Sequence, residues 1–254
     1  MMRVIKVGGR AQADPSLAMS VARSWSNGSH GRIVLVHGGG DEVSTLQSAL
    51  GGSTQFVNGR RVTTAYDIDL VRMVLSGSAN KRLVARLIES GVDAVGVSGE
   101  DASLISALPM DAAVLGHVGA PDRINVGFLR HLLSGGYMPV VSPVSKNATS
   151  SLGVALNVNG DDAAAAIAVA VGADELLLVT DVEGVMHNGA VVPTLTNDQA
   201  KQLMADGTAV GGMRAKLEAA CAALAAGVSR TRISDIAGIA DPSRGTTVTS
   251  TGEI

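Results

Sequence analysis

Short β-branched runs alternate with longer helical patterns along the whole chain, and this alternation restricts the fold more than any other feature. The strand-like runs are Val4 to Val7, Arg32 to Val36, Ala94 to Val97, Met138 to Val141 and Glu175 to Val179. Helical patterns lie between them, at Ser16 to Ser26, Ile68 to Leu75, Asn80 to Glu89, Phe128 to Ser134 and Asp161 to Val171. The order predicts an α/β fold with a largely parallel sheet. The Ala-rich stretches Asp162 to Val171 and Ala219 to Ala226 predict helices packed closely on that sheet. Aromatics are 2% of 254 residues, so the core has to be built from Ala, Val, Leu and Ile, as in sheets buried on both faces. No internal repeat or low-complexity linker interrupts the pattern.

Several classes of function fall away. A net charge of -3 without a long basic run argues against a nucleic-acid partner. No apolar run reaches about 18 residues, which argues against a membrane helix. A single cysteine, Cys221, excludes an intramolecular disulfide and fits a reducing compartment. The first residues enter a strand directly and show no signal-peptide architecture. The expectation is a soluble cytoplasmic protein.

The residues that carry chemistry follow the strands. Lys6-Val7-Gly8-Gly9 joins a strand to a helical pattern. A lysine followed by glycines at a helix start suits a phosphate, because backbone N–H groups can approach an oxyanion there; a plain turn is the competing reading. His37-Gly38-Gly39-Gly40 repeats the arrangement after the next strand, and His37 reads as a structural hydrogen-bonding residue. Asn58-Gly59-Arg60-Arg61-Val62-Thr63 is a hairpin signal that presents Arg61 for a bidentate grip on a carboxylate, or as a solvated charge. Gly77-Ser78-Ala79-Asn80-Lys81 reads as a break between two helices, the first apolar enough for a core or a subunit interface. Glu100 and Asp101 suit a metal or a solvated loop. Gly116 to Gly119 reads as a hairpin. In Asn157-Val158-Asn159-Gly160-Asp161 the two asparagines and Asp161 share one face of an extended chain, and Asp161 stands where a helix N-cap is expected. Thr180-Asp181-Val182-Glu183-Gly184-Val185 follows the last buried strand. Gly211-Gly212-Met213-Arg214-Ala215-Lys216 leads into an Ala-rich helix, where a bound anion would offset the cost of a lysine near the helix start.

Together these motifs, from Arg3 to Thr247, resemble the amino-acid kinase superfamily and its acetylglutamate kinase branch. The resemblance implies a three-layer αβα sandwich with a mainly parallel open sheet in two lobes. Residues 1–172 would bind the acylated amino acid and form a homodimer, and residues 173–254 would bind ATP. The implied reaction moves the γ-phosphoryl group of ATP, with Mg²⁺, to the side-chain carboxylate of N-acetyl-L-glutamate in arginine biosynthesis. Lys6 and Lys216 match the two transition-state lysines and Asp161 the aspartate that holds them. Gly38, Gly39, Gly40, Arg61, Asn157 and Asn159 match the amino-acid site. Gly8 and Gly9 would meet the phosphates. Asp181, Val182, Glu183, Gly184, Val185, Met186, Thr208, Ala209 and Val210 would line the nucleotide pocket. No protein metal cage is implied.

Two departures stand out. Arg10 occupies a position where the family usually has a small residue. The chain starts at the first strand, without the N-terminal helix of the arginine-inhibited hexamers, so an unregulated dimer is expected. Competing readings are a kinase for carrier-protein-linked aminoadipate or glutamate, an N-succinylglutamate kinase, and a non-enzymatic amino-acid sensor on the same fold. Retention of Lys6, Asp161 and Lys216 argues against the sensor. A carbamate kinase would need a longer chain.

Overall fold

Every residue of the first strand, Arg3 to Val7, is buried, as a strand covered on both faces must be. Alternation then sends its side chains to two different cores. Val4 packs with Val34, Val36, Leu176 and Leu178 against one helical layer. Ile5 and Val7 pack with Ile33, Leu35, Leu177 and Val179 against the other. The result is the three-layer αβα arrangement. The computed structural model describes residues 1–26, 32–57, 59–150 and 152–250.

In chain order the strands are β1 (Arg3–Val7), β2 (Ile33–His37), β3 (Phe56–Val57), β4 (Arg60–Arg61), β5 (Ala94–Gly99), β6 (Ile105–Pro109), β7 (Val118–Ile124), β8 (Met138–Asn147), β9 (Ala155–Val158), β10 (Glu175–Val179), β11 (Met186–His187), β12 (Ala190–Val191), β13 (Thr194–Thr196), β14 (Arg230–Ser234) and β15 (Thr246–Thr249). The α-helices are α1 (Gly9–Ala13), α2 (Ser16–Ser26), α3 (Gly40–Ala49), α4 (Ala65–Val71), α5 (Asn80–Glu89), α6 (Ala112–Leu115), α7 (Val126–Ser134), α8 (Gly160–Val171), α9 (Asn197–Ala205) and α10 (Gly211–Ala225). No described helix is long and apolar enough to cross a membrane.

The main sheet runs β13-β15-β14-β10-β1-β2-β8-β6-β7-β9, with β5 also on β8. Its centre, from β14 through β8 to β5, is parallel. Lys6 pairs with Leu178 and Val36, and Val7 with Val179 and His37. The carboxyl ends of β1, β2 and β10 are therefore level, and the loops that follow them open on one edge. α8 and α10 cover one face through their alanines, and α2 and α5 the other through Leu17, Val21, Trp25, Leu83 and Leu87.

The expected strands and helices are present, with three local differences. First, residues 77–81 do not break a helix. Residues 72–79 form a π-helix that continues α4 into α5, with helical dihedral angles at Val71 and Asn80. Second, the N-cap of α8 is Asn159, whose side chain accepts from the N–H groups of Asp161 and Asp162; Asp161 lies inside the first turn. Third, Glu100 and Asp101 are engaged locally, whereas the hairpin expected at Gly116 to Gly119 is present, as the entry to β7 in the wide β6–β7 hairpin with α6 at its head. Glu100 pairs with Arg72 and Asp101 accepts from Ser98. The tight hairpin β3–β4 forms as expected, although Asn58 at its turn lies outside the described residues.

Candidate active site

Two lysines and one aspartate meet at the open edge of the sheet. Lys6 projects from β1, Asp161 from the first turn of α8 and Lys216 from the second turn of α10. Lys6 Nζ lies 3.0 Å from Asp161 Oδ1, and Lys216 Nζ 3.3 Å from Asp161 Oδ2. All three side chains are buried. Burial opposes ionisation of Asp161, but the two ammonium groups outweigh it and hold the carboxyl below its ordinary range. Burial, and next the Lys6 ammonium, push Lys216 below the ordinary lysine value. With all three groups ionised the cluster carries one excess positive charge, so it favours a further anion. Gly160 makes the approach possible: a Cβ there would stand 3.1 Å from Lys6 Cε.

Beside the triad is a cavity of about 170 Å³ lined by Gly38, Gly39, Gly40, Arg61, Asn157 and Asn159. Arg61 is buried and donates to Gln47, Thr54, the Gly40 carbonyl and Ser44. All four acceptors are uncharged, and no carboxylate forms an ion pair with Arg61 among the described residues. Burial lowers its ordinary pKa, against the pull of Asp67 and Asp41. A buried guanidinium without a carboxylate partner can exchange such neutral acceptors for a carboxylate, whose charge compensates its own. Arg60, the preceding residue, also lines this cavity and pairs with Asp162 at 2.7 Å, which ties the hairpin to α8. Asn157 donates to Thr63 Oγ1. Asn159 serves through its cap.

A second, wider cavity of about 650 Å³ adjoins the first and shares Gly40, Phe56, Gly59 and Asn159 with it. Lys6, Gly8, Gly9, Asp161, Asp181, Val182 and Lys216 line it, together with Gly211 and Gly212 at the start of α10. The triad thus lines the large cavity suited to phosphates, and the small cavity that holds Arg61 adjoins it at Asn159 and Gly160. Glu183, Gly184, Val185, Met186, Thr208, Ala209 and Val210 lie away from its walls. Val185 and Ala209 are buried, Glu183 stands 3.8 Å from Arg244, and Met186 and Val210 are exposed. Arg10 sits at the mouth with its side chain in solvent, between Asp181 at 3.1 Å and Asp41 at 3.6 Å.

The sequence profile of the amino acid kinase family matches residues 1–235. The chain belongs to the amino acid kinase family. This amino acid kinase is 42% identical over 253 residues to an acetylglutamate kinase of Roseiflexus castenholzii, covering 99% of this chain and 95% of that one. It is 43% identical over 223 residues to an acetylglutamate kinase of a Geobacillus species, covering 87% and 85%. A crystal structure from Streptococcus mutans superposes with a TM-score of 0.88 at 30% identity, over 98% of this chain and 99% of that one.

Three residues of the site have no role assigned to them from the sequence. Gly160 looked like part of an Asx-rich turn. Gln12 lies outside every motif, and Asn80 reads as part of a break between two helices, yet both reach the Gly38 loop. For Asn80 the available signal was a polar residue on the apolar stripe of a helix, where it is fully buried.

Proposed function

We propose that this chain transfers the γ-phosphoryl group of ATP to the side-chain carboxylate of N-acetyl-L-glutamate, giving an acyl phosphate for arginine biosynthesis in the cytoplasm, where ATP is supplied. The observation that carries the reading is the Lys6–Asp161–Lys216 triad in a cavity rimmed by glycines, with a smaller cavity adjoining it that holds a guanidinium without a carboxylate partner. The relatives named acetylglutamate kinase, matched over nearly the whole chain, give the substrate.

The chemistry suits the site. A carboxylate oxygen attacks the γ-phosphorus and the bond to the β,γ-bridging oxygen breaks, so ADP leaves with that electron pair. A carboxylate is a nucleophile at pH 7 without a general base. The barrier is the approach of two anions and the charge on the moving phosphoryl group, which fixed cations lower. Arg61 takes the α-carboxylate. Lys6 and Lys216 flank the phosphoryl group, and Asp161 orients both. Mg²⁺ would accompany ATP, held chiefly by phosphate and water, and would supply further neutralisation of the phosphate charge. Among the described residues no group of three His, Cys, Asp or Glu could cage it.

Residues 1–172 form the amino-acid lobe and residues 173–254 the nucleotide lobe in this reading, with Glu183 to Met186 and Thr208 to Val210 meeting ATP as the lobes close. A homodimer is expected through the 65–89 helical segment, which exposes Tyr66, Met73 and Ile88. A monomer mass in light scattering would overturn that part.

Acyl phosphate trapped with hydroxylamine tests the reaction over N-acetylglutamate, N-succinylglutamate, glutamate and acylated aminoadipate. Turnover confined to N-acetylglutamate is expected, and turnover on a different acceptor alone would replace the substrate. Arg61→Ala should raise KM for the amino acid by about 10- to 100-fold, since hydrogen bonds to charged groups contribute ~1.5–3 kcal/mol. KM for ATP should hardly change, and an effect confined to ATP would place Arg61 on the other substrate.

A further inference from the structure

The Gly38 carbonyl is held from two sides. Gln12 Nε2 donates to it at 2.8 Å, and His37 Nδ1 stands at the same distance. A carbonyl oxygen only accepts, so Nδ1 carries the imidazole proton and Nε2 is a lone pair. Asn80 Nδ2 meets that lone pair at 3.0 Å and also donates to the Val140 carbonyl at 2.9 Å. Lys81 Nζ fixes the other end of the amide by donating to Asn80 Oδ1. His37 and Asn80 are completely buried. On the other side of the residue, the Gly38 N–H donates to the Val7 carbonyl.

The next N–H is the consequence. A trans peptide is planar, so the Gly39 N–H points away from the Gly38 carbonyl. It has no acceptor among the described residues, and Gly39 lines the amino-acid cavity. Gly39 has φ +149°, and a Cβ there would come within 2.7 Å of Leu75 Cδ2. Gly9 lies against the same nitrogen, where a Cβ would make ordinary contact at 3.5 Å. The π-helical segment 72–79 gains a purpose. It sets Leu75 against Gly39 and brings Asn80 to His37, in keeping with the frequency of such irregularities at functional sites.

We infer that Gln12, His37 and Asn80 are positioning residues that lock the Gly38–Gly39 peptide so that its N–H meets the anion formed during phosphoryl transfer. The inference rests on the proposed kinase reaction. A donor already aimed at developing charge needs no reorganisation in the transition state, whereas a peptide free to rotate does.

The test compares Gln12→Met, His37→Leu and His37→Asn in the full chain. Gln12→Met and His37→Leu should each lower kcat by about 10- to 100-fold, the scale of a misplacement acting through an intermediary. KM for ATP should stay within about threefold, because the ground-state nucleotide contacts remain. The double variant should cost less than the product of the two, since both act on one carbonyl. His37→Asn puts an amide donor near the Nδ1 position and should recover most of the loss. Affinity for ADP with aluminium fluoride and N-acetylglutamate should fall by the same factor as kcat, with affinity for ADP alone unchanged. If His37→Leu does not fold, Gln12→Met and its analogue affinity decide. Wild-type turnover with kcat unaltered in Gln12→Met, or equal losses in analogue and ADP binding, would overturn the inference alone. No turnover by the wild-type chain on any acylated amino acid would overturn the kinase reading and this inference with it.

Discussion

Lys216→Ala is expected to lower kcat on the order of 10³-fold while leaving the fold and both KM values nearly intact. The size follows from what a fixed donor aimed at developing charge contributes in a site shielded from water. The selectivity follows from the charge count. With Lys216 removed, Lys6 and Asp161 remain as a matched pair at 3.0 Å, so no buried charge is stranded. Asp161→Ala would be a poor test by the same reasoning, because it would leave two buried ammonium groups facing each other. The pH profile gives a second readout. Lys216 acts as a cation and its pKa lies below the ordinary 10.5, so kcat should fall on the alkaline side at a lower pH than a solvent-exposed lysine would give. That limb should be missing from the residual activity of the alanine variant. Retained kcat in Lys216→Ala, with an unaltered alkaline limb, would remove Lys216 from the mechanism.

Much of this site was legible because the chemistry sits where local sequence signals are strongest. Lys6, His37 and Glu175 to Val179 belong to short β-branched runs followed by glycine or acidic loops, and a parallel sheet brings such loops to one edge whatever the intervening length. The strands that were missed break that rule. β7 reads Val-Gly-Ala-Pro-Asp-Arg-Ile, with glycine, proline and charge in the strand, because it pairs antiparallel with β6 away from the parallel centre. β14 reads Arg-Thr-Arg-Ile-Ser and looks like a solvated segment, yet Arg232 is fully buried. The helix through residues 77–81 was misread for a similar reason. Gly, Ser and Asn suggest a stop, but the Ser78 hydroxyl bonds back to the Val74 carbonyl, the Ser76 and Ser142 hydroxyls meet, and Asn80 is spent on His37. Ser76, Asn80 and Arg232 are polar groups satisfied by partners distant in sequence, which no local pattern records.

Glu175 is the largest case of that kind, and it leads to the strongest effect expected on stability. Its carboxylate, wholly buried at the start of β10, accepts from Arg3 at 2.7 Å, Arg230 at 2.6 Å and Arg232 at 3.1 Å. Those arginines hold β1 and β14 to β10. Arg232 also donates to the carbonyls of Gly238, Asp241 and Arg244, and Arg3 to that of Ile239, so the segment after β14 closes onto the same point. Glu175→Gln removes the one acid shared by three cations and leaves Arg232 charged in the core. Breaking a buried pair in this way typically costs about 3–5 kcal/mol. For a chain of this size that is a fall in Tm of about 6 to 20 °C. The pH dependence has a definite sign. Burial opposes the charge on Glu175, but the three arginines prevail and hold its pKa below the ordinary 4.5. A depressed carboxylate contributes stability that is present in full above the unfolded pKa and lost as pH falls through the folded one. The gap in Tm between wild type and Glu175→Gln should therefore be constant from neutral pH to about 5 and close below the ordinary glutamate range. A gap of less than about 2 °C at pH 7, or one that widens on acidification, would show that the arginines are held by their carbonyl partners and that Glu175 adds little.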